Sequence, residues 1–289
     1  MQASDTVPLA PAAPIPLETR TNARAWALQA LCTTAPDEKL HATHNLFAAS
    51  QDHSAVIKPQ QRLAPPALSR LPGRPDRPEL IAPMQVPHRS PFTPEGLAAL
   101  VHAICHIEFN AINLALDAVW RFTDMPVDFY RDWLRVADEE AAHFGLLQAH
   151  LNTLGHDYGD FPAHDGLWEM CVKTQDDITA RMALVPRTLE ARGLDATPLI
   201  QARLRKVNSP EALRAVDILD IILRDEIGHV AVGNRWYAWL CARQGLEPVA
   251  HYRSLAREHN APRLRPPFNQ SARRLAGFSQ LEINALSES

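Results

Sequence analysis

Cysteine is scarce in this 289-residue chain, and Cys32, Cys105, Cys171 and Cys241 lie far apart with no Cys-x-x-Cys pair among them. Such spacing argues against a zinc ribbon, a thioredoxin-like motif and a small disulfide scaffold, and it fits a reducing compartment. A dominant charge is missing too, with 29 Lys plus Arg against 33 Asp plus Glu. No global field therefore recruits nucleic acid or an anionic membrane, and partners have to be argued from local features. The N-terminal residues carry Pro8, Pro11, Pro14 and Pro16 but not the basic start and apolar run of a secretory signal. No later stretch reads as apolar for long enough to span a bilayer, so a cytoplasmic protein without a membrane anchor is expected. Strand patterns are absent at useful strength, which leaves an all-α fold.

Proline is abundant, at 24 residues. It fixes its own φ, removes an amide donor and biases the preceding residue away from helix, so dense runs mark joints. Residues 1–57 read as a loose tail over 1–16 and a small helical appendage, with helices expected over 21–32 and 37–49. Residues 58–92 hold Pro59, Pro65, Pro66, Pro72, Pro75, Pro78, Pro83, Pro87 and Pro91, too many for helix or a central strand. Leu63, Leu68, Leu71, Leu80, Ile81 and Val86 are interspersed among them, so an extended wrap docked on a core is expected rather than a free linker. Residues 246–289 read as a C-terminal extension: a helix over 249–258, a Pro-rich run from Pro262 to Pro267, and a terminal segment over 269–278.

Residues 93–245 carry four long helical stretches. The first opens at Thr93-Pro94, a capping residue followed by proline at the first helical position, and reaches about Phe122. The second begins near Pro126 and ends at Gly155, suited to a C-terminal cap. A third is expected from Asp165 to Gly193, with a kink or break at Pro186. The fourth starts at Ser209-Pro210-Glu211 and ends at Gly245. Two helical hairpins result, the architecture of a four-helix bundle.

Two of these helices carry the same half-motif: Glu140-Ala141-Ala142-His143 on the second and Glu226-Ile227-Gly228-His229 on the fourth. Residues three apart share a helical face, with Cβ atoms about 5–6 Å apart, so one helix can offer a carboxylate and an imidazole to a single ion. Di-iron and di-manganese bundles add one glutamate from each of the other two helices. Glu108 supplies one from an apolar face. Glu190 supplies the other, with Glu169, Asp176 and Asp177 as alternatives if Pro186 shifts the helix. Glu108 precedes Glu140 by 32 residues and Glu190 precedes Glu226 by 36, so two antiparallel hairpins would bring the ligands to one level.

One Glu-x-x-His on a helix is usually a solvated face, whereas two, each paired with an inward glutamate, are not readily explained that way. Four ionised carboxylates in a dry core would each cost several kcal/mol, and two divalent cations would neutralise them. The set Glu108, Glu140, His143, Glu190, Glu226 and His229 suits two iron ions, with manganese or a mixed pair as the alternative, and is poor for structural zinc. Glu139 and Asp225, each just before a ligand glutamate, are expected to accept the outer imidazole N–H. His102, His106 and His150 are read as surface or satisfied interior histidines, and Tyr130, Tyr158 and Tyr237 as packing residues.

On these residues the chain resembles the ferritin-like di-iron carboxylate superfamily. Residues 74–278 are similar to a bacterial ferritin-like family of unassigned function, through His106-Ile107-Glu108, Asp138-Glu139-Glu140, His143-Phe144, Tyr158-Gly159-Asp160, Leu189-Glu190-Ala191-Arg192-Gly193 and Asp225-Glu226-Ile227-Gly228-His229. The resemblance supports Glu190 as the fourth carboxylate and implies oxygen or peroxide chemistry, with Glu140 and Glu226 bridging. A related ferritin-like enzyme hydroxylates a modified tRNA base, a distant comparison.

The expected function is thus a dinuclear non-haem oxidase or monooxygenase that uses O₂ on a small organic substrate, with an electron donor and a homodimer both compatible. Iron or peroxide detoxification is the second class. A tRNA-directed hydroxylase is the third: Arg253, Arg257, Arg263, Arg265, Arg273 and Arg274, with Arg70, Arg74 and Arg77, would hold phosphate if they formed one face.

Overall fold

The computed structural model describes residues 22–67 and 70–287, and these form helices joined by loops, without a β-strand. The tail over 1–16 and Leu68 lie outside the described residues. Two short helices come first, α1 (Ala23–Cys32) and α2 (Pro36–Gln51). The long elements follow: α3 (Pro94–Arg121), α4 (Val127–Thr153), α5 (Gly166–Lys173), α6 (Ile178–Leu184), a π-helical turn (Val185–Glu190), α7 (Ala191–Val207) and α8 (Pro210–Gln244). Three more close the chain: α9 (Pro248–Glu258), α10 (Gln270–Leu275) and α11 (Gln280–Ser287).

The punctuation of the sequence explains where the long helices begin and end. Thr93 Oγ1 accepts from Gly96 N at 3.1 Å, and Ser209 Oγ accepts from Ala212 N at 3.2 Å, each just before a proline at the first helical position. Gly155 and Gly245 close α4 and α8 at φ 78° and 67°. In that left-handed region a side chain would be strained, and residue i+1 donates back to the last turn, as Leu246 N does to Cys241 O.

The third bundle element departs from its expected course. Asp165 caps nothing with its side chain and instead pairs with Arg74 at 2.5 Å. The helix breaks after Lys173, and Asp177 restarts it by accepting from Thr179 N and Ala180 N. It continues well past Gly193, to Val207. Proline at 186 cannot donate to a carbonyl four back, and a wider turn accommodates the defect without ending the helix. The neighbour permits this: a Cβ on Gly233 of α8 would lie 2.7 Å from Pro186 Cβ and Cγ. We predict that Gly233→Ala costs about 1–3 kcal/mol and displaces the π turn; a denaturation midpoint equal to wild type would refute the tight approach.

Helices α3 and α4 pack along each other, as do α7 and α8, and α4 meets α8 across the bundle. The core is continuous through Ile112, Ala115, Val119, Phe129, Trp133, Phe144, Leu147, Ile218, Leu219 and Ile222. Helix α3 is long and apolar enough to cross a membrane by length and composition, contrary to expectation. Most of its side chains are nonetheless buried against other helices, as in the core helix of a soluble protein.

The N-terminal helices are tied to the bundle by two buried cations. Arg24 donates to the carbonyls of Val119, Trp120 and Phe122 at the end of α3 and of Lys58, Pro59 and Gln61 in the Pro-rich segment. That segment also gives Leu63 O to Trp120 Nε1, while Ile81 N donates to Ala163 O. Lys39 is fully buried, donating to Asn113 Oδ1 at 2.5 Å and Leu31 O at 3.0 Å. Burial pulls its ammonium down from the usual 10.5 to about 7.

A native pKa below the unfolded one means that the unfolded chain binds more protons between pH 7 and 10.5, so stability should rise with pH across that window. Wild type should gain about 2 kcal/mol over Lys39→Met from pH 7 to pH 9, at 1.36 kcal/mol per unit. Comparing the two by urea denaturation at both pH values cancels any fixed cost of the substitution; parallel pH profiles would contradict a neutralised Lys39.

Candidate metal centre

Inward-facing positions on four helical elements meet at the middle of the bundle. Helix α3 contributes Glu108, α4 contributes Glu140 and His143, the π turn contributes Glu190, and α8 contributes Glu226 and His229. All six are buried, with Glu140 and His229 fully so. Ligand atoms of Glu108, Glu140 and His143 lie within 4.8 Å of one another, and so do those of Glu140, Glu226 and His229. Glu140 thus belongs to both groups and Glu226 to one. Glu190 is in neither, although burial and the charges of Glu226 and Glu140 raise its carboxyl pKa. Of the alternatives to it, Glu169 and Asp176 are exposed and Asp177 caps α6.

The polar atoms here approach one another without satisfying one another. His143 Nδ1 is 3.3 Å from Glu108 Oε2 and 3.4 Å from Glu140 Oε2; His229 Nδ1 is 2.9 Å from Glu140 Oε1 and 3.5 Å from Glu226 Oε1. None of these contacts has the alignment of a hydrogen bond. Among the described residues, twelve buried side-chain polar atoms have no hydrogen-bond partner, and seven of them belong to these six residues. Buried polar groups elsewhere in proteins are nearly always paired, so such a concentration needs an explanation that the protein atoms alone do not supply.

Outside the cluster, the imidazoles are fixed. His143 Nε2 meets Asp225 Oδ2 at 3.1 Å, and His229 Nε2 meets Glu139 Oε2 at 2.7 Å. The struts cross: the acid on α4 holds the imidazole of α8, and the acid on α8 holds that of α4. A carboxylate on Nε2 keeps the proton there and leaves the Nδ1 lone pair for the interior. Asp138, the neighbour of Glu139, is taken by His44 of α2 at 2.6 Å.

Electrostatics shows what the arrangement costs. Burial, then the Glu140 charge, raises the Glu108 carboxyl well above its ordinary value; burial, then Glu226, does the same to Glu190. Burial, then Glu140, raises Glu226 as well. Burial also opposes the Glu140 charge, but His229 and His143 beside it prevail and hold its pKa low. Burial would lower His143, yet Glu108 and Glu140 push it up to about 11, and Glu140 with Glu139 raises His229 against the same burial. Without cations, protons must balance the carboxylates. Four carboxylates and two imidazoles are a donor set that could hold metal, and metal binding would release those protons.

The remaining candidates sit apart. His102 accepts from Gly159 N at 2.9 Å, and His106 meets Tyr158 Oη at 2.8 Å and His164 O at 3.2 Å, so both are interior histidines. His150 is buried. Tyr130 donates to Phe122 O and Tyr237 to Pro248 O. Of the basic residues considered for phosphate, Arg273 is buried against Asp195 and Arg74 pairs with Asp165, so neither is free for a ligand. Sequence reasoning missed Lys39 and Asn113, which carry no motif and whose pairing spans 74 residues.

Fold and site together define an all-helical bundle with a buried carboxylate–imidazole cluster able to hold metal. The chain belongs to the DUF455 family of proteins of unknown function, whose profile matches residues 32–284. It is 46% identical over 266 residues to an uncharacterised protein of Haemophilus influenzae (strain ATCC 51907 / DSM 11121 / KW20 / Rd), covering 90% of this chain and 91% of that one. No solved structure matches it.

Proposed function

We propose that this is a ferritin-like dinuclear non-haem protein that holds two iron ions and acts as an O₂-dependent oxidase or monooxygenase on an organic substrate. The observation that carries the reading is the set of seven unpartnered atoms on Glu108, Glu140, His143, Glu190, Glu226 and His229. Glu108 and His143 would hold one ion, Glu226, His229 and Glu190 the other, and Glu140, common to both groups, would join them. Bound there, a reduced iron pair supplies electrons and Lewis acidity for oxidising a substrate with O₂. The chain's own contributions are orientation and exclusion of water. Asp225 and Glu139 fix the imidazoles, and buried Val136, Ala137, Ala141 and Phe144 flank Glu140 along α4.

The struts give a separate prediction. Glu139→Gln and Asp225→Asn should each weaken metal affinity about 10- to 100-fold while leaving the helical content unchanged. Equilibrium dialysis against ferrous or manganous ion reads this directly; unaltered affinity in both would show that the outer acids are surface pairs.

The function is tested by metal analysis of chelator-free protein, followed by anaerobic ferrous absorption and its response to O₂. Two irons per chain and O₂ uptake that exceeds the ferrous equivalents when a substrate is present are expected. Protein that loads iron but never consumes O₂ beyond its own ferrous content would favour iron handling and overturn the oxidase assignment.

A further inference from the structure

Arg187, on the π turn that carries Glu190, is caged by rings. Its guanidinium carbon lies 4.9, 5.1 and 5.0 Å from the ring centroids of Tyr237, Tyr252 and Phe278. Its Nε donates to Asn234 Oδ1 at 2.8 Å, and its last partner is Glu282 Oε1 on α11. A cavity of about 50 Å³ adjoins this pair, walled by Val249, Tyr252, Leu264, Phe278 and Leu286 together with Arg253.

The acid opposite Arg187 is placed unlike those opposite the other buried arginines. Arg181 meets Asp117 on α3 and Arg273 meets Asp195 on α7, both within long helices. Glu282 stands on an eight-residue terminal helix, where Ile283 is buried at 1% exposure but Leu281 is 74% exposed. So short a helix has little stability of its own, and this acid can withdraw more readily than the others. A guanidinium left in that apolar cage would then require another anion.

We infer that Arg187 anchors the carboxylate of a small organic acid with an apolar body, and that Glu282 occupies that anion's place in the ligand-free chain. The seat already fits a carboxylate. Arg253 adds a second guanidinium at the rim, but the rest of the wall is mostly apolar and suits an acid with an apolar body over a fully hydrated phosphate dianion. Asn234, which orients Arg187, lies on α8 beyond Glu226 and His229, so a ligand here abuts the segment that delivers Glu190. As a substrate site this rests on the oxidase reading; as a carboxylate site it does not.

The test is calorimetric titration of the full chain with hexanoate, hexan-1-ol and inorganic phosphate, in wild type, Glu282→Gln and Glu282→Gln with Arg187→Met. Glu282 also closes a capping box, its Oε2 accepting from Ser279 N at 2.7 Å while Ser279 Oγ accepts from Glu282 N at 3.3 Å. Glutamine preserves that box and removes the charge. Removing an internal competitor raises the binding-competent fraction, so hexanoate should bind Glu282→Gln about tenfold tighter than wild type. The gain should vanish without Arg187 and be missing for hexan-1-ol and phosphate. Equal hexanoate affinity in wild type and Glu282→Gln, a gain that survives Arg187→Met, or an equal gain for hexan-1-ol or phosphate would overturn the inference. Should Arg187→Met fail to fold by circular dichroism, the comparison of wild type with Glu282→Gln decides alone. Metal content of the same samples separates the two readings: hexanoate binding without metal removes only the oxidase, and two irons without hexanoate binding remove only this site.

Discussion

Glu140→Ala should emerge from a chelator-free purification with metal occupancy reduced at least about 100-fold, while its helical content and elution volume match wild type. Glu140 reaches both halves of the cluster, and on the proposed reading its loss would remove one ligand from each ion at once. Glu190→Ala should be milder, since Glu190 belongs to neither close group. Removing Glu140 need not unfold the protein. The substitution takes a carboxylate out of a fully buried position, and a buried charge is costly unless paired. In the metal-free chain, however, Glu140 is paired with His143 and His229, so the metal-free variant should melt below metal-free wild type, its imidazoles being left without that acid. Plasma emission analysis paired with thermal melts checks both halves; full metal content in Glu140→Ala would place the ions elsewhere.

The second large effect falls far from the Glu/His cluster. Arg24→Met should destabilise the protein by about 3–5 kcal/mol, because it removes one cation that serves six carbonyls on two segments. The carbonyls of Val119, Trp120 and Phe122 end α3, and those of Lys58, Pro59 and Gln61 belong to the Pro-rich stretch. Without Arg24 the two would separate and water would enter. A melting midpoint lowered by about 10 °C is expected, at 2–4 °C per kcal/mol for a chain of this size. Trypsin should then cut near Arg62 first. A shift within 2 °C would mean that the segment is held by its apolar contacts instead.

What the sequence revealed follows from the range of the forces involved. Glu-x-x-His was legible because both side chains come from one helical turn, and Thr93, Ser209, Gly155 and Gly245 were legible because capping acts within four residues. The cross-struts from Glu139 and Asp225 could be anticipated as acids beside ligands, but which imidazole each would hold depends on how α4 faces α8. The third bundle element was misjudged because Pro186 announces a defect and not its remedy. That remedy lies in the closeness of Gly233, 47 residues further on. Arg24 and Lys39 were illegible for a similar reason. Their partners are backbone carbonyls and an asparagine that only the folded chain brings near, and nothing in their neighbours marks them as buried.

Diffraction from crystals grown in ferrous ion, recorded on both sides of the iron absorption edge, tests the central claim most directly. Two anomalous peaks inside the bundle are predicted, one beside Glu108 and His143, the other beside Glu226 and His229, with Glu140 reaching both. Anomalous density confined to the protein surface, with the six side chains hydrogen-bonded to one another or to water, would contradict it.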